Sequence, residues 1–557
     1  MKRKAMKKIL KYIAICLLLF IAGIVLNVLY LYSTADMLEP KYKEQNKYLL
    51  SRDDNERKYG PNSLRKNSEG LWELHVQGNA FERGEAIGKM SKDLLFYQET
   101  VFIDQIREMI PSDNYLRFLR HFIVLFNRNL GRNVAEEFRN EIYGISLSCT
   151  HRYDFIGNPY ERQLNYHSAH HLGHAMQDYM LVGCSSFALW GENSADSTLI
   201  IGRNFDFYMG ENFARNKQVS FYRPDTGYKF AAVGWPGMTG VLSGMNEHGL
   251  TVTINAAKSV LPTSSATPIS ILTREILQYA ATIEEAYNIA MKRQTFVAES
   301  ILIGSARDRK AAIIEKSPNK IALFTADDKK QLICTNHFQS EAFATDQRNM
   351  ESIRDTDSPY RFERIEELLE QHKPINPNNA AAILRDYKGI GNTELGMANE
   401  MAINQFIAHH SVIFMPERML MWVSTSPWQS GKYICYDLDR LFGYPDCPGC
   451  ITFVPWLTIP EDSLVHQPAF EQLMTYKKLT PLIRKNTKSG EAVGDSILQV
   501  YQESNPLMFY TYEVLGDYFL KQKNKEEALA NWKKALTLPI PKQGERKRIE
   551  NKINDYE

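Results

Sequence analysis

The stretch Gly-Cys-Ser-Ser-Phe at residues 183–187 opens the part of the chain in which short apolar strands replace helical patterns. Eighteen residues after Cys184 comes a second stretch, Gly-Arg-Asn-Phe-Asp at 202–206. Arg203 offers a cation that favours a thiolate, and Asp206 offers a carboxylate that holds an amine. Most lone cysteines are only small buried hydrophobes. Because Arg203 and Asp206 follow Cys184 closely in the sequence, the pattern predicts that Cys184 is a reactive thiol.

Three further polar motifs follow downstream: residues 244–250 leading into Asn255, residues 335–338 with Asn336, and residues 358–362 with Arg361. Taken singly, Arg203 with Asp206 is typical of an ordinary salt bridge, and the two asparagines are typical of turn or cap residues. Their occurrence together, in one order along the chain, favours a single site. The segments between the motifs alternate strand runs with helical pairs, which predicts an α+β fold with helices covering antiparallel sheets.

The order of these motifs resembles the choloylglycine hydrolase and isopenicillin-N acyltransferase relatives among the N-terminal-nucleophile hydrolases. The motifs are the Gly183-Cys184 junction, Arg-x-x-Asp, Gly-Met-Asn-x-x-Gly-Leu followed by Asn, Thr-Asn and Ser-x-x-Arg-Phe. The likeness covers about residues 71–436, and Gly-Asn-Ala-Phe-Glu-Arg-Gly at 78–84 looks like the start of the acyltransferase pro-segment. The resemblance implies a four-layer αββα sandwich, autoproteolysis between Gly183 and Cys184, and no cofactor or metal.

The resemblance also implies the role of each site residue. Cys184 is the nucleophile, and its freed α-amine is the base, since an α-amine has a pKa near that of a thiol and is partly neutral at pH 7. Asp206 orients that amine and Arg203 supports the thiolate. Asn255 donates to the oxyanion. Asn336 and Arg361 match the remaining site positions as hydrogen-bonding and charge-fixing groups.

The first residues form a separate segment. Six basic residues between Lys2 and Lys11 precede an almost uncharged run from Ile13 to Tyr32, which is long enough to span a bilayer as a helix. The basic end is expected in the cytoplasm, which places the rest of the chain outside as a signal anchor does. Ser33-Thr34-Ala35 also suits a signal peptidase, so a cleaved secretory signal is the alternative.

Five regions are predicted along the chain. They are a membrane anchor at 1–35, a charged linker at 36–70, a mostly helical pro-segment at 71–183, a catalytic domain at 184–459 and a helical region at 460–557. In the last region Gly516, Ala528 and Ala535 have the small-residue spacing of a tetratricopeptide hairpin. A single hairpin is expected to pack as a structural cap, and a peptide-binding role for a protein partner is the alternative.

Two other clusters have competing interpretations. His167, His170, His171 and His174 share a helix face, which suits either a metal or a solvated junction helix, and the second is favoured because no acid ligands accompany them clearly. Cys447 and Cys450 are expected to form a local disulfide in an oxidising compartment, with free thiols or a redox pair as alternatives.

Composition limits the function classes. The chain has 66 basic and 65 acidic residues, a net charge of +1, so no overall field favours nucleic acid. With 44% hydrophobic residues it is globular, not disordered. The prediction is an extracytoplasmic cysteine amidase that hydrolyses a small-molecule N-acyl compound through an acyl-cysteine thioester. Acyl transfer to an amine is the alternative, although acyl-coenzyme A is scarce outside the cytoplasm. A catalytically silent helical-repeat docking protein is the alternative of another class.

Overall fold

The computed structural model describes residues 2–44, 47–53, 55–175, 183–207, 209–258, 262, 264–443 and 452–557. The strands within these ranges are β1 (Leu50–Arg52), β2 (Glu56–Tyr59), β3 (Asn62–Lys66), β4 (Trp72–Gly78), β5 (Ser185–Leu189), β6 (Ile200–Asp206), β7 (Gln218–Pro224), β8 (Phe230–Gly234), β9 (Ser243–Asn246), β10 (Leu250–Ala257), β11 (Ala298–Ser305), β12 (Lys310–Lys316), β13 (Ile321–Phe324), β14 (Gln331–Cys334), β15 (Ala408–Met415), β16 (Leu420–Ser424), β17 (Tyr433–Asp437) and β18 (Phe453–Ile459).

The α-helices within the same ranges are α1 (Lys2–Ser33), α2 (Ala80–Met109), α3 (Asp113–Phe126), α4 (Leu130–Asn133), α5 (Glu136–Ser146), α6 (Pro159–Ala175), α7 (Ile269–Tyr279), α8 (Ile283–Lys292), α9 (Gln347–Asp355), α10 (Ser358–His372), α11 (Pro377–Leu384), α12 (Leu438–Gly443), α13 (Pro468–Ser489), α14 (Asp495–Ser504), α15 (Phe509–Lys521), α16 (Lys525–Leu536) and α17 (Gln543–Tyr556). Short 3-10 turns link several of them.

The strands form two large sheets. Among the described residues the larger sheet has eleven strands in the order β1-β2-β3-β4-β7-β8-β9-β10-β11-β12-β13, and in that part of the chain only its β4–β7 pair is parallel. The smaller sheet has seven strands in the order β14-β5-β6-β15-β16-β17-β18, and its neighbours are antiparallel. The predicted mixed helix-and-sheet fold with large sheets is therefore confirmed.

The two sheets face each other and each carries helices on its other face. In β5, Ala188 packs into the apolar layer between the sheets, while Phe187 and Leu189 point to the layer shared with α10 and α11. The larger sheet packs its outer face on α2, α7 and α8. Since both faces of the central strands are covered, their side chains are buried without alternation; all eight residues of β10 are buried. This double burial places the strand ends that carry the site residues in the interior.

The structure corrects the prediction of a linker at 36–70. Residues 50–66 form β1, β2 and β3, which extend the larger sheet through β4. Part of the region resembles a linker in sequence because β2 and β3 are rich in charged residues and contain no apolar run. Hydrogen bonds to the neighbouring strands hold them in the sheet. Arg57, for example, is buried by a bidentate contact with Asp93 of α2 and by the ring of Trp72.

The last five helices, α13 to α17, share one apolar cluster. Phe406 joins that cluster from the segment before β15, and Trp428 packs against it from the segment after β16. Within the helices, α15 and α16 approach so closely that a Cβ on Gly516 would lie 2.4 Å from the Trp532 ring. The helical region therefore packs on the sheet domain. Its tetratricopeptide-like character stays a prediction.

Candidate active site

Cys184 lies immediately before β5, buried between the two sheets' ends. Its backbone N–H donates to Asn336 Oδ1 at 3.0 Å, and its carbonyl oxygen accepts from Arg361 Nη1 at 2.6 Å. The preceding residue, Gly183, donates its N–H to the backbone oxygen of Asp206 at 3.1 Å. A Cβ on Gly183 would lie 2.8 Å from Gln405 Nε2, so the glycine allows this close approach. The 183–184 peptide is thus fixed on both sides.

Arg203 brings its charge to the thiol from the neighbouring strand, β6. Its Nη2 is 3.8 Å from Cys184 Sγ and donates to the carbonyl oxygen of Ile254 at 2.5 Å. Its Nη1 contacts Ser243 Oγ and the Leu242 carbonyl oxygen. Burial raises the pKa of the Cys184 thiol to about 11, while the Arg203 guanidinium acts in the opposite direction. In this uncut chain the thiol is therefore protonated at neutral pH.

Asp206 ends β6 and its side chain is fully buried. Neither carboxylate oxygen has a hydrogen-bond partner among the residues that the structure describes. Burial raises the pKa of Asp206 to about 8, although the charges of Arg361 and Arg203 oppose the change. A buried carboxylate without a partner is costly. A cation that donates a hydrogen bond to Asp206 would therefore stabilise its ionised form.

Asn336 and Arg361 are hydrogen-bonded to each other and to the backbone of Cys184. Arg361 Nη2 donates to Asn336 Oδ1 at 2.8 Å, and Arg361 Nε donates to Asp357 at 2.8 Å. Asn336 Nδ2 donates to the carbonyl oxygen of Ala256 on β10 at 2.8 Å. Asn336 follows β14 and Arg361 lies in α10, so two separate elements hold the chain at Cys184. These contacts make both residues suited to positioning the reacting backbone.

Asn255 lies in β10 beside the site, but its amide contacts are with the scaffold. Nδ2 donates to the carbonyl oxygen of Cys334 at 2.8 Å, and Oδ1 accepts from Ser186 Oγ at 2.9 Å. An amide nitrogen has two protons, so Nδ2 can donate a second hydrogen bond. These contacts fix the Asn255 side chain between β5 and β14. Its role as an oxyanion donor stays a prediction.

The sequence motifs missed two groups that surround Arg203. Glu299 on β11 is fully buried, and burial raises its pKa to about 8 against the charge of Arg203. His410 on β15 places Nε2 2.9 Å from Ser243 Oγ and 3.2 Å from Arg203 Nη1. Two features of the sequence could have indicated these groups. Glu299 is an acidic residue within the mostly apolar run 298–303, and His410 belongs to a histidine pair near the start of the strand at 408–415. Neither signal distinguishes a site residue from a buried structural one.

A mostly apolar cleft adjoins the site. It lies between α2, α6 and the segments that follow β6 and β8, and its larger walls are Phe102, Tyr166, Phe207, Phe213 and Trp235. Phe207 directly follows Asp206, and Cys184 shares one apolar cluster with Phe207 and Phe213. The cleft and Cys184 therefore border the same apolar core. Two of its walls come from helices that precede Cys184 in the chain.

The other predicted clusters fall largely outside the described residues. His167 is buried, with Nδ1 2.8 Å from the Gln163 carbonyl oxygen and Nε2 accepting from the Thr239 N–H at 3.1 Å. These two contacts use both ring nitrogens of His167. The side chains of His170, His171 and His174 lie outside the described part, as do Cys447 and Cys450.

Comparison with known proteins identifies the sheet domain. Residues 192–422 match the family described as acyl-coenzyme A:6-aminopenicillanic acid acyl-transferase. The match begins after Cys184 and contains the other five candidate site residues. The chain is 25% identical to protein dcd1B of Dictyostelium discoideum over 271 residues, which cover 45% of this chain and 51% of that protein. It is 27% identical to an uncharacterised protein of Archaeoglobus fulgidus over 153 residues, 27% of this chain and 26% of that protein.

The chain thus spans about half the length of the first relative and about a quarter of the second. Among solved structures, an N-acylethanolamine-hydrolyzing acid amidase orthologue from Caenorhabditis elegans aligns at 16% identity with a TM-score of 0.30, covering 42% of this chain and 93% of that one. A conjugated bile acid hydrolase variant from Clostridium perfringens aligns at 14% identity with a TM-score of 0.30, covering 46% and 93%. Residues 192–422 are thus similar to the acyl-coenzyme A:6-aminopenicillanic acid acyl-transferase family, and this match confirms the resemblance to N-terminal-nucleophile hydrolases of that type.

Proposed function

We propose that this chain is an autoproteolytically activated cysteine amidase that hydrolyses the amide bond of a small N-acyl compound. The observation that carries the proposal is the convergence of Asn336, Arg361 and Arg203 on the backbone and thiol of Cys184. Three separate motifs of the sequence meet at one cysteine that directly follows a sterically confined glycine.

The first step is the cut. Cys184 Sγ attacks the Gly183 carbonyl carbon, the bond from that carbon to the Cys184 nitrogen breaks, and the thiol proton passes to the leaving nitrogen. Water then opens the Gly183 thioester, giving a carboxyl group on Gly183 and returning the thiol. The product is a chain that begins with Cys184 and carries a free α-amine beside its own sulfur. The nucleophile thereby gains a base.

Turnover uses that amine. The amine takes the proton from Sγ, the thiolate attacks the acyl carbon of the substrate, and the proton passes to the departing amine. Water hydrolyses the acyl-Cys184 thioester to a carboxylic acid and the free thiol. Arg203 favours the thiolate and Asp206 holds the new ammonium, which supplies the hydrogen-bond partner that the Asp206 carboxyl group lacks among the described residues of the uncut chain. The mostly apolar cleft, whose wall residue Phe207 directly follows Asp206, suits an apolar acyl group.

Acyl transfer to an amine is the second candidate, because the matching family is described by that reaction. The same acyl-Cys184 thioester serves both reactions, and only the acceptor differs. The cellular location of the sheet domain bears on the choice between hydrolysis and acyl transfer. Helix α1 is apolar from Leu10 to Ser33, with a mean hydropathy of 2.7 over its most apolar window, which suits either a membrane anchor or a signal sequence. We favour the anchor, with the sheet domain outside the cytoplasm and away from acyl-coenzyme A.

A substrate panel tests the function. Purified protein incubated with N-acyl amino acids, bile-salt conjugates and β-lactams is expected to release amine from at least one N-acyl compound, with equal amounts of free acid. Addition of hydroxylamine or a primary amine in place of part of the water separates hydrolase from acyltransferase. A rise in N-acyl product without free acid would favour transfer. No amine release and no acyl-enzyme with any class would contradict both reactions.

A pH experiment tests the role of Asp206. The folded, uncut chain retains protons on Asp206 and Glu299 up to about pH 8, whereas the unfolded chain loses them at about pH 4. This contribution to stability is complete below about pH 4 and is lost as the pH rises towards 8. We therefore expect these two carboxyl groups to contribute a fall in the melting temperature of Cys184→Ala, which stays uncut, between about pH 5 and 8, while buried neutral histidines such as His409 contribute a rise below about pH 6.5.

Adding Asp206→Asn to Cys184→Ala is expected to remove the Asp206 contribution and so to change the slope of melting temperature against pH, because the amide does not titrate, while the Glu299 contribution stays. Asp327→Asn in the same background is the matched control, since Asp327 is an exposed partner of Lys310. The measurement is thermal unfolding at several pH values. An unchanged slope in the Asp206→Asn chain would contradict the buried, protonated state of Asp206.

A further inference from the structure

Helix α3 presents an apolar surface where a surface helix ordinarily presents polar residues. Its Leu116 and Val124 are buried against the protein. On the outward side Tyr115, Phe118 and Phe122 are 50%, 54% and 55% exposed. These three rings follow the i, i+3, i+7 spacing of one helix face. A helix that is apolar on both sides is normally covered on both sides.

The three rings form a continuous row. Tyr115 stacks on Phe118 with ring centroids 6.1 Å apart, and Phe118 meets Phe122 edge to face at 5.1 Å. Basic residues flank the row: Arg117 lies over the Phe155 ring, and His121 lies one position before Phe122. Aromatic rings beside basic residues are typical of helices that lie at a membrane surface.

The C-terminal end of α1 lies against α3. The ring of Tyr32, in the last turn of α1, lies 5.8 Å from the ring of His121. The chain just after α1 is held just beyond the C-terminus of α3, because the Asp36 N–H donates to the Arg128 carbonyl oxygen at 2.7 Å. The Gly131 N–H in turn donates to the Asp36 carbonyl oxygen at 3.0 Å. The exposed row on α3 therefore lies beside the end of the apolar helix.

We infer that α3 lies on the phospholipid bilayer, with Tyr115, Phe118 and Phe122 in the interface next to the α1 anchor. This rests on α1 being a membrane helix, as proposed above, and is independent of the chemistry at Cys184. Helix α1 has none of its most apolar window buried in the described part of the protein, so nothing there competes with lipid for it. Because α1 and α3 touch, one bilayer covers both apolar surfaces.

Photo-crosslinking tests the placement in the full chain. A benzophenone amino acid is introduced at Phe118 or Phe122, and native membranes are irradiated. Phe20 in α1 serves as the positive control, and exposed Lys329, in the turn before β14, serves as the negative control. The mass of the crosslinked product separates lipid from protein adducts, and thermal unfolding confirms that each labelled chain is folded.

We expect lipid adducts at Phe118 and Phe122 in several-fold higher yield than at Lys329, together with lipid adducts at Phe20. Lipid at Phe20 but only protein adducts at Phe118 and Phe122 would overturn the placement of α3 in favour of a protein partner or a second copy. Absence of lipid adducts at Phe20 would overturn the anchor and the placement together. None of these outcomes depends on amide hydrolysis, so the proposed function is tested separately.

Discussion

Purified wild-type protein is expected to consist of two pieces, and the larger should begin with Cys184. A cut after residue 183 leaves 374 residues, since 557 minus 183 is 374. Cys184→Ala is expected to give one uncut chain without amide hydrolysis, because it removes the attacking sulfur and the only base proposed for it. Cys184→Ser is expected to cut slowly, because an alkoxide is harder to form than a thiolate. N-terminal sequencing and mass measurement of the pieces check each variant.

Cys435→Ala is the matched control for the cut. Cys435 is also fully buried, but it lies in β17. Among the described residues, its hydrogen bonding involves none of the candidate site residues. We expect this variant to be cut and active. An active wild-type enzyme found only as an uncut chain would overturn the mechanism and require a histidine base. Burial and the charge of Arg361 lower the pKa of His337, the first described candidate, to about 4, so it is neutral at pH 7.

Asn255→Ala is expected to lower amide turnover by about 100- to 1000-fold, the usual effect of removing one oxyanion donor. The structure adds a second consequence. Ser186 Oγ and the Cys334 carbonyl oxygen lose their partner, and an unsatisfied buried polar group costs about 1–3 kcal/mol. Steady-state kinetics and thermal unfolding of the mature variant separate the loss of kcat from the loss of stability.

Asn246→Ala provides the control for Asn255. Asn246 in β9 is fully buried and donates from Nδ2 to the carbonyl oxygens of Leu277 and Ala280. Its Oδ1 also accepts from the His248 and Leu250 N–H groups, so its replacement is expected to destabilise the protein at least as much as Asn255→Ala while kcat stays within a few-fold of wild type. Normal turnover in a folded Asn255→Ala enzyme would remove Asn255 from the reaction.

Local chemistry in the sequence was sufficient to predict the large elements. The apolar run in α1, the strand at Trp72, Leu74 and Val76, and the alternation of strand runs with helical pairs all follow from the side chains of one segment. The same applies to the choice of Cys184, because a thiol next to glycine with a cation and a carboxylate nearby in sequence is a chemical pattern. Local properties such as these need no knowledge of what the segment packs against.

Tertiary structure decided what depends on partners far along the chain. The charged strands β2 and β3 join the larger sheet through β4, which pairs with β7; Trp72 and its partner Gln218 are 146 residues apart. Asn336 reaches the Cys184 N–H across 152 residues, and Asn255 is held by Cys334 across 79. The sequence determined which residues are predicted to carry the chemistry. Only the packing of the two sheets determined which atoms of these residues face the thiol. Hydrogen bonds and desolvation act between neighbours in space, whatever their separation in sequence.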